Sequence, residues 1–284
     1  MMYREVAPHP KLRKHIKCFW MLDHDYSRSS HNHERLWADA HTELIFTSGQ
    51  RYFLKNASRK VSLPASFVIG PFQKELELFS RGRTALVAAR FWPWGFHPMS
   101  KLPMTELKNS VRSCCHAFAS PGEFIEKELA GIAEPEAKIA ALEQAFLSGL
   151  ASNKAKLLSR PMATDILETR GIIRIAELTG KHGIHPRRLQ RVFLHEIGLS
   201  PKVLARIVRF NHVKRMIERN PEIDLLTLTY DCGYADQAHF TRNFREMFGI
   251  TPAEFKASMR EAFRRFREQK PDVVFVQDGA QQPR

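Results

Sequence analysis

Arg187, Arg188, Gln190 and Arg191 crowd into one short segment, and Gln237, His239, Thr241, Arg242 and Arg245 occupy the matching stretch 51 residues later. A guanidinium is a fixed fork of donors that pairs bidentately with guanine O6 and N7, and a carboxamide pairs in the same way with adenine. The chemistry on offer is therefore recognition of nucleic-acid bases. The chain has no nucleophile elbow, no HExxH string and no phosphate-cradling glycine loop, so no catalytic residue and no cofactor are assigned.

Those side chains need an element that turns them outward, and the sequence supplies it twice. Leu189, Arg191, Phe193, Gly198, Ser200 and Pro201 fall on Phe240, Arg242, Phe244, Gly249, Thr251 and Pro252 at a constant offset of 51. A repeat of this kind means two similar supersecondary units. In the first, Ile172, Ile175, Ala176 and Thr179 lie at helical spacing and Gly183 closes the helix. A second helix is predicted to start at His185-Pro186, since proline is favoured at the first helical position. In the second unit Leu225, Leu228 and Thr229 form the short helix, Gly233 ends it, and Asp236 caps the next. Leu189, Val192, Phe193 and Ile197, and then Phe240, Phe244, Met247 and Phe248, make the buried faces. Two helices joined by a glycine turn, the second polar and basic outside, form a helix-turn-helix. One such face alone would equally fit a solvated basic helix; two matching copies argue against that.

Between the copies, Leu204, Ile207, Val208, Val213 and Ile217 predict a helix over 202–219, ended by Asn220-Pro221. Eighteen residues span about 27 Å. B-DNA repeats its major groove every ~34 Å, so this length is compatible with two reading helices in successive grooves.

The string CGYADQAHFTRNFREMFGITPAEFK, from Cys232 to Lys256, with GLSP and GITP at the two repeat ends, resembles the signature of the AraC/XylS family of transcriptional regulators. The resemblance covers about residues 160–258. It implies base-edge readers at Arg187, Gln190, Arg191, Gln237, Ala238, His239 and Arg242. It leaves Arg188, Thr241 and Arg245, with the helix starts at Ser200 and Thr251, to face phosphates. A second reading keeps His239 as an exposed bystander. Thr179 and Thr229 stand where the family usually has alanine; a threonine there can bond back to the preceding turn.

Length, charge and cysteines set outer limits. A chain of 284 residues suggests two domains. Its net charge of +14 suits a polyanion, although residues 161–260 hold only 16 Lys and Arg against 11 Asp and Glu. No apolar run is long enough to span a membrane, and MMYREVAPHPKLRKH lacks a signal core. Four cysteines are no disulfide framework, so a cytoplasmic protein is expected.

Up to about Val111 the texture is that of short strands, at 43–47, 51–54, 66–69 and 84–91. From Pro121 it turns helical, with Ser120-Pro121 and Glu123 as a helix start. The segment 151–163 reads as a linker or helix connection. PHPKLRKHIKCFW, WADAHTELIF and ARFWPWGFHPM resemble the N-terminal sensor-like domain of one AraC-type subgroup, which usually has a Pro-Asp-Gly string where Trp37-Ala38-Asp39-Ala40 stands here. That resemblance implies a cupin-like β-barrel followed by helices, of a kind that binds effectors, dimerises, or both. The fold class expected is α+β. The domains are a β-rich sensor over 1–120, a helical connection over 121–160, the double helix-turn-helix over 161–260 and a tail over 261–284. The partners are double-stranded DNA, a small-molecule effector, RNA polymerase and a second copy of the chain, with no membrane.

Trp37, Trp92 and Trp94 are the candidate effector-pocket residues, Trp94 at its mouth; with Trp20, Phe91 and Phe96 they equally suit a packed β core. His31, His33, Glu34 and His41 invite a metal, but SRSSHNHE is loop-like, and no metal site is assigned. Cys114-Cys115 could sense thiol-reactive compounds or simply pack; Cys18 and Cys232 read as structural. Val273–Val276 is an apolar patch that could dock on the N-terminal domain. Two other functional classes stay open: a metal-dependent cupin-like enzyme tethered to DNA, and a non-specific architectural DNA binder.

Overall fold

Along Ile16–Asp25 the side chains alternate between two separate cores. Ile16, Phe19 and Met21 join one, while Cys18, Trp20 and Leu22 join the other. A strand buried on both faces shows no hydrophobic-polar alternation, which is why this one is not evident in the sequence. It organises the N-terminal half. The computed structural model describes residues 2–28, 33–56, 59–118, 122–151 and 156–269.

The strands are β1 (Met2–Val6), β2 (Ile16–Asp25), β3 (His33–Leu36), β4 (Thr42–Gly49), β5 (Phe53–Asn56), β6 (Arg59–Ser62), β7 (Ser66–Ile69), β8 (Leu76–Phe79), β9 (Arg83–Phe91) and β10 (Val111–Ser113). One antiparallel sheet has the order β1-β2-β9-β4-β7-β10, the other β3-β8-β5-β6. Helices follow: α1 (Met104–Leu107), α2 (Cys114–Ala117), α3 (Gly122–Ala130), α4 (Pro135–Ala151), α5 (Ser159–Glu168), α6 (Ile175–His182), α7 (Pro186–Glu196), α8 (Pro201–Arg219), α9 (Leu225–Asp231), α10 (Gln237–Phe248) and α11 (Pro252–Gln269). The class is α+β, a β-rich N-terminal part of two sheets followed by helices.

The chain falls into two units, 1–211 and 212–284. In the first, one face of the six-stranded sheet packs Phe19, Leu44, Val87 and Phe91 against Leu142 and Phe146 of α4 and Ile125 and Leu129 of α3. The other face packs Trp20, Ile45, Phe67 and Ala88 against Tyr52, Phe72 and Leu78 on the side of the smaller sheet. Aromatic rings fill the space between the sheets, and Trp20 is core. In the second unit Phe240, Phe244, Phe248 and Phe255 form the centre, with Phe244 and Phe248 stacked at 4.5 Å.

All four cysteines are free thiols. Burial pushes the Cys114 thiol up to about 12, whereas Cys115 is exposed beside the Ser113 hydroxyl. Cys18 and Cys232 are buried. The Ser120-Pro121 helix start, His31 and the Val273–Val276 patch lie outside the described residues.

His15 carries a pH consequence. It is 3 % exposed, and among the described residues its Nδ1 has no hydrogen-bond partner. Burial first, then the charges of Lys14 and Arg160, push its pKa down to about 4. The folded value lies below the unfolded one. As pH falls from about 6.5 towards 4, the unfolded chain takes up a proton that the folded chain refuses, and stability is lost. The expected loss is about 2 kcal/mol between pH 7.5 and pH 5. Urea titrations at the two pH values should show the wild type losing that much more than His15→Gln; equal losses would remove His15 from the account.

Candidate nucleic-acid interface

Both helix-turn-helix units form as their residues dictate, with different turns. Gly183 caps α6 in the left-handed region at φ +57°, and the Ile184 N–H donates to Thr179 O at 3.1 Å. His185 caps α7 through Nδ1, which accepts from the Arg187 N–H at 3.2 Å, and Pro186 takes the first helical position. In the second unit Asp224 caps α9, and Asp236 caps α10 by accepting from the His239 N–H at 2.7 Å. The second turn is longer, running from Cys232 to Asp236, and inserts Tyr234, which is buried against Phe240 and stands edge-on to the His239 ring at 5.3 Å. The two threonines bond back, Thr179 Oγ1 to Ala176 O at 2.8 Å and Thr229 Oγ1 to Leu225 O at 2.7 Å.

α7 buries Leu189, Val192 and Phe193, and α10 buries Phe240, Phe244, Met247 and Phe248. That leaves Arg187, Arg188, Gln190 and Arg191 exposed on α7. On α10 it leaves Gln237, Ala238, His239, Arg242 and Arg245 exposed, with Thr241 half-buried. Among the described residues no ion pair within 4 Å ties these arginines to a carboxylate; Arg245 acts on Glu254 through its charge, and the forks of Arg187, Arg188, Arg191 and Arg242 are available to a partner. The α7 face has a border: Pro103, Met104 and Thr105 enclose a cleft of about 380 Å³ with Arg187, Gln190 and Arg191.

The two Ser/Thr-Pro helix starts differ electrostatically. Ser200 Oγ accepts from the Val203 N–H at 3.3 Å, and among the described residues no carboxylate joins it. Thr251 sits in a capping box: its N–H donates to Glu254 Oε2 at 2.6 Å, and its Oγ1 accepts from the Glu254 N–H at 3.2 Å. The Thr251 bonds hold the Glu254 carboxyl below its ordinary range, so an anion already sits at the start of α11. The box is legible in the string TPAE.

Glu196, the last residue of α7, is a residue that sequence reasoning missed. It is 5 % exposed and accepts from the N–H groups of Leu158 at 3.1 Å and Ser159 at 2.8 Å, and from the Ser159 hydroxyl at 2.7 Å. It therefore caps α5 from 37 residues away, a distance at which no spacing rule applies.

Trp94 is 4 % exposed, lies parallel to Trp92 at 5.9 Å, and donates its indole N–H to Lys14 O at 2.8 Å. Trp37 is half-buried under the Arg35 guanidinium. Glu34 accepts from the Tyr26 hydroxyl, and His41 Nδ1 meets Asp39 at 2.6 Å. Among the described residues no group of three or more His, Cys, Asp or Glu is placed to hold a metal, and no helix is long and apolar enough to cross a membrane.

Comparison with known proteins finds two separate family matches along the chain. A helix-turn-helix domain family matches residues 178–258, and a domain of unknown function, DUF6597, matches residues 4–113. The HTH-type transcriptional regulator GlxA of Rhizobium meliloti is 28% identical over 74 residues, 26% of this chain. The match spans 22% of that relative's own length. Among solved structures, ToxT of Vibrio cholerae aligns over 84% of this chain and 96% of its own, at 12% identity and a TM-score of 0.45. A probable AraC family transcriptional regulator from Rhodopseudomonas palustris aligns over 35% of this chain and 94% of its own, at 27% identity and a TM-score of 0.32.

Proposed function

We propose that residues 178–258, which match a helix-turn-helix domain family, form a DNA-binding domain of the AraC/XylS family, and that the chain is a sequence-specific DNA-binding transcriptional regulator. One observation carries the reading: both second helices present unpaired arginine and amide donors on the face opposite their buried stripe. Arg187, Gln190, Arg191, Gln237, Ala238, His239 and Arg242 read base edges. Arg188, Thr241 and Arg245 hold phosphates. Of the two helix starts, Ser200 suits a phosphate better than Thr251, because Glu254 already places a carboxylate at the latter.

The β-rich part receives a small effector, and the complex works with RNA polymerase and a second copy of the chain, in the compartment that holds the DNA. The functional division is 1–120 for the sensor, 121–160 for the connection, 161–260 for DNA and 261–284 for the tail. We read the chain as a regulator and not an enzyme.

The two reading faces are chemically unequal, one rich in arginine, the other led by Gln237 and His239. The site is therefore directional. Genome-wide mapping of bound fragments followed by footprinting should give one oriented, asymmetric sequence per chain. A symmetric half-site under a single chain would contradict the assignment. Binding that fails to separate mapped sites from random DNA by about 10³ would mean an architectural binder.

A further inference from the structure

A cleft of about 560 Å³ opens between the Pro10–His15 segment and α5, lined by Lys14, His15, Lys156, Arg160, Asp165 and His182. That is the size of a small-molecule site. Its charge is unbalanced. Asp165 is already engaged, with Lys181 Nζ at 2.8 Å and His182 Nε2 at 2.6 Å. The nearby N-terminus of α5 is engaged as well, since Glu196 takes its N–H groups. Among the described residues nothing pairs with the cationic groups of Lys14, Lys156 or Arg160. Like charges gathered around one recess raise its potential for an anion.

The recess is also built, and not only charged. Trp92 and Trp94 donate their indole N–H groups to Arg13 O at 3.0 Å and Lys14 O at 2.8 Å. The Trp92 backbone N–H donates to His15 O at 2.9 Å. A Cβ on Gly95 would stand 1.9 Å from that same oxygen, so only glycine lets the chains meet. The string WPWG thus clamps the segment that carries Lys14 and His15, and a site needs such support. His15 is buried, and among the described residues its Nδ1 has no partner, in a protein interior where nearly all polar groups find one.

We propose that this cleft binds a small anionic molecule, through a carboxylate or a phosphate group held by Lys14, Lys156 and Arg160. The proposal deepens the regulator reading and rests on it for its consequence alone. Arg160 directly follows Ser159, whose N–H and hydroxyl bond to Glu196 at the end of α7. An anion that draws in Arg160 therefore acts next to the bond that ties α5 to the first reading helix.

The test uses the full chain without DNA, titrated with inorganic phosphate and, separately, with citrate, followed by calorimetry. Saturable binding of at least one probe is expected, and the stronger of the two identifies the anion class. Lys14→Gln and Arg160→Gln should each weaken it about tenfold or more, since hydrogen bonds to charged groups carry that much. Arg160→Lys should retain part of it. Lys55→Gln, which removes an ion pair with Glu77 on the smaller sheet, should change nothing. Thermal midpoints of the variants separate lost binding from lost folding. The proposal is overturned if neither probe saturates, or if both glutamine variants bind as the wild type does. It is equally overturned if Arg160→Gln instead flattens the salt dependence of DNA binding, which would assign the cleft to DNA phosphates. Parallel gel shifts on a mapped site keep the readings apart. Anion binding without site discrimination defeats the regulator reading and leaves the cleft, and the reverse result defeats the cleft and leaves the regulator.

Discussion

The double variant Arg191→Ala, Arg242→Ala binds its mapped site scarcely better than random DNA. Each arginine is exposed on its helix, with no carboxylate partner among the described residues. Each good bidentate pair with guanine discriminates against the wrong base by about 1–3 kcal/mol. The two lie on different helices in different units, so their losses should add. Together they remove about 2–6 kcal/mol, a large part of the ~4–10 kcal/mol that separates specific from non-specific binding. Non-specific affinity should fall much less, because the phosphate contacts remain. Arg188→Ala is the contrast. As a phosphate contact it should weaken binding to every sequence alike and lower the salt slope by about one. Competition gel shifts with the mapped site and a scrambled one, at several salt concentrations, read both effects. An unchanged specificity ratio in the double variant would end the assignment of these two residues.

Gly198→Ala costs about 3 kcal/mol of stability, while Gly249→Ala costs about 1 kcal/mol. The two glycines are the same position of the repeat, and both close their helix in the left-handed region, at φ +79° and +73°. A side chain in that region costs ~1–2 kcal/mol wherever it occurs. The surroundings supply the rest. A Cβ at Gly198 would stand 2.3 Å from Met104 O, a backbone atom that cannot swing aside. Among the described residues a Cβ at Gly249 would meet nothing within 4 Å. Chemical denaturation of the two variants measures the difference. Equal losses would mean that the contact between Met104 and the end of α7 does not hold in solution.

That pair of glycines also marks how far the sequence could be read. The helix start at His185-Pro186, the cap at Asp236, the buried stripes of α7 and α10 and their outward donors were legible, because each depends on residues within a turn or two of one another. The same holds for α8, whose Leu204, Ile207, Val208, Val213 and Ile217 are all buried as their spacing requires. In the β-rich part, the strands at 43–47, 66–69 and 84–91 stood out by composition. β2 did not, since both faces of its Cys18–Leu22 stretch are covered and that stretch is apolar without alternation. The tryptophans were noticed as a possible pocket. Their indole bonds to Arg13 O and Lys14 O join residues about 80 apart, and no periodicity marks such a pair.

By itself, then, the sequence determined that this protein has two helix-turn-helix units with unequal polar faces, because helix ends, turns and amphipathic stripes follow from near-neighbour sterics and hydrogen bonding. Only the tertiary structure decided what surrounds them. It brought Met104 to Gly198, Glu196 to the start of α5, and Lys14 to Arg160. Those meetings come from burying distant apolar surfaces against one another. That driving force has no direction of its own, so the partners it selects leave no local mark in the chain.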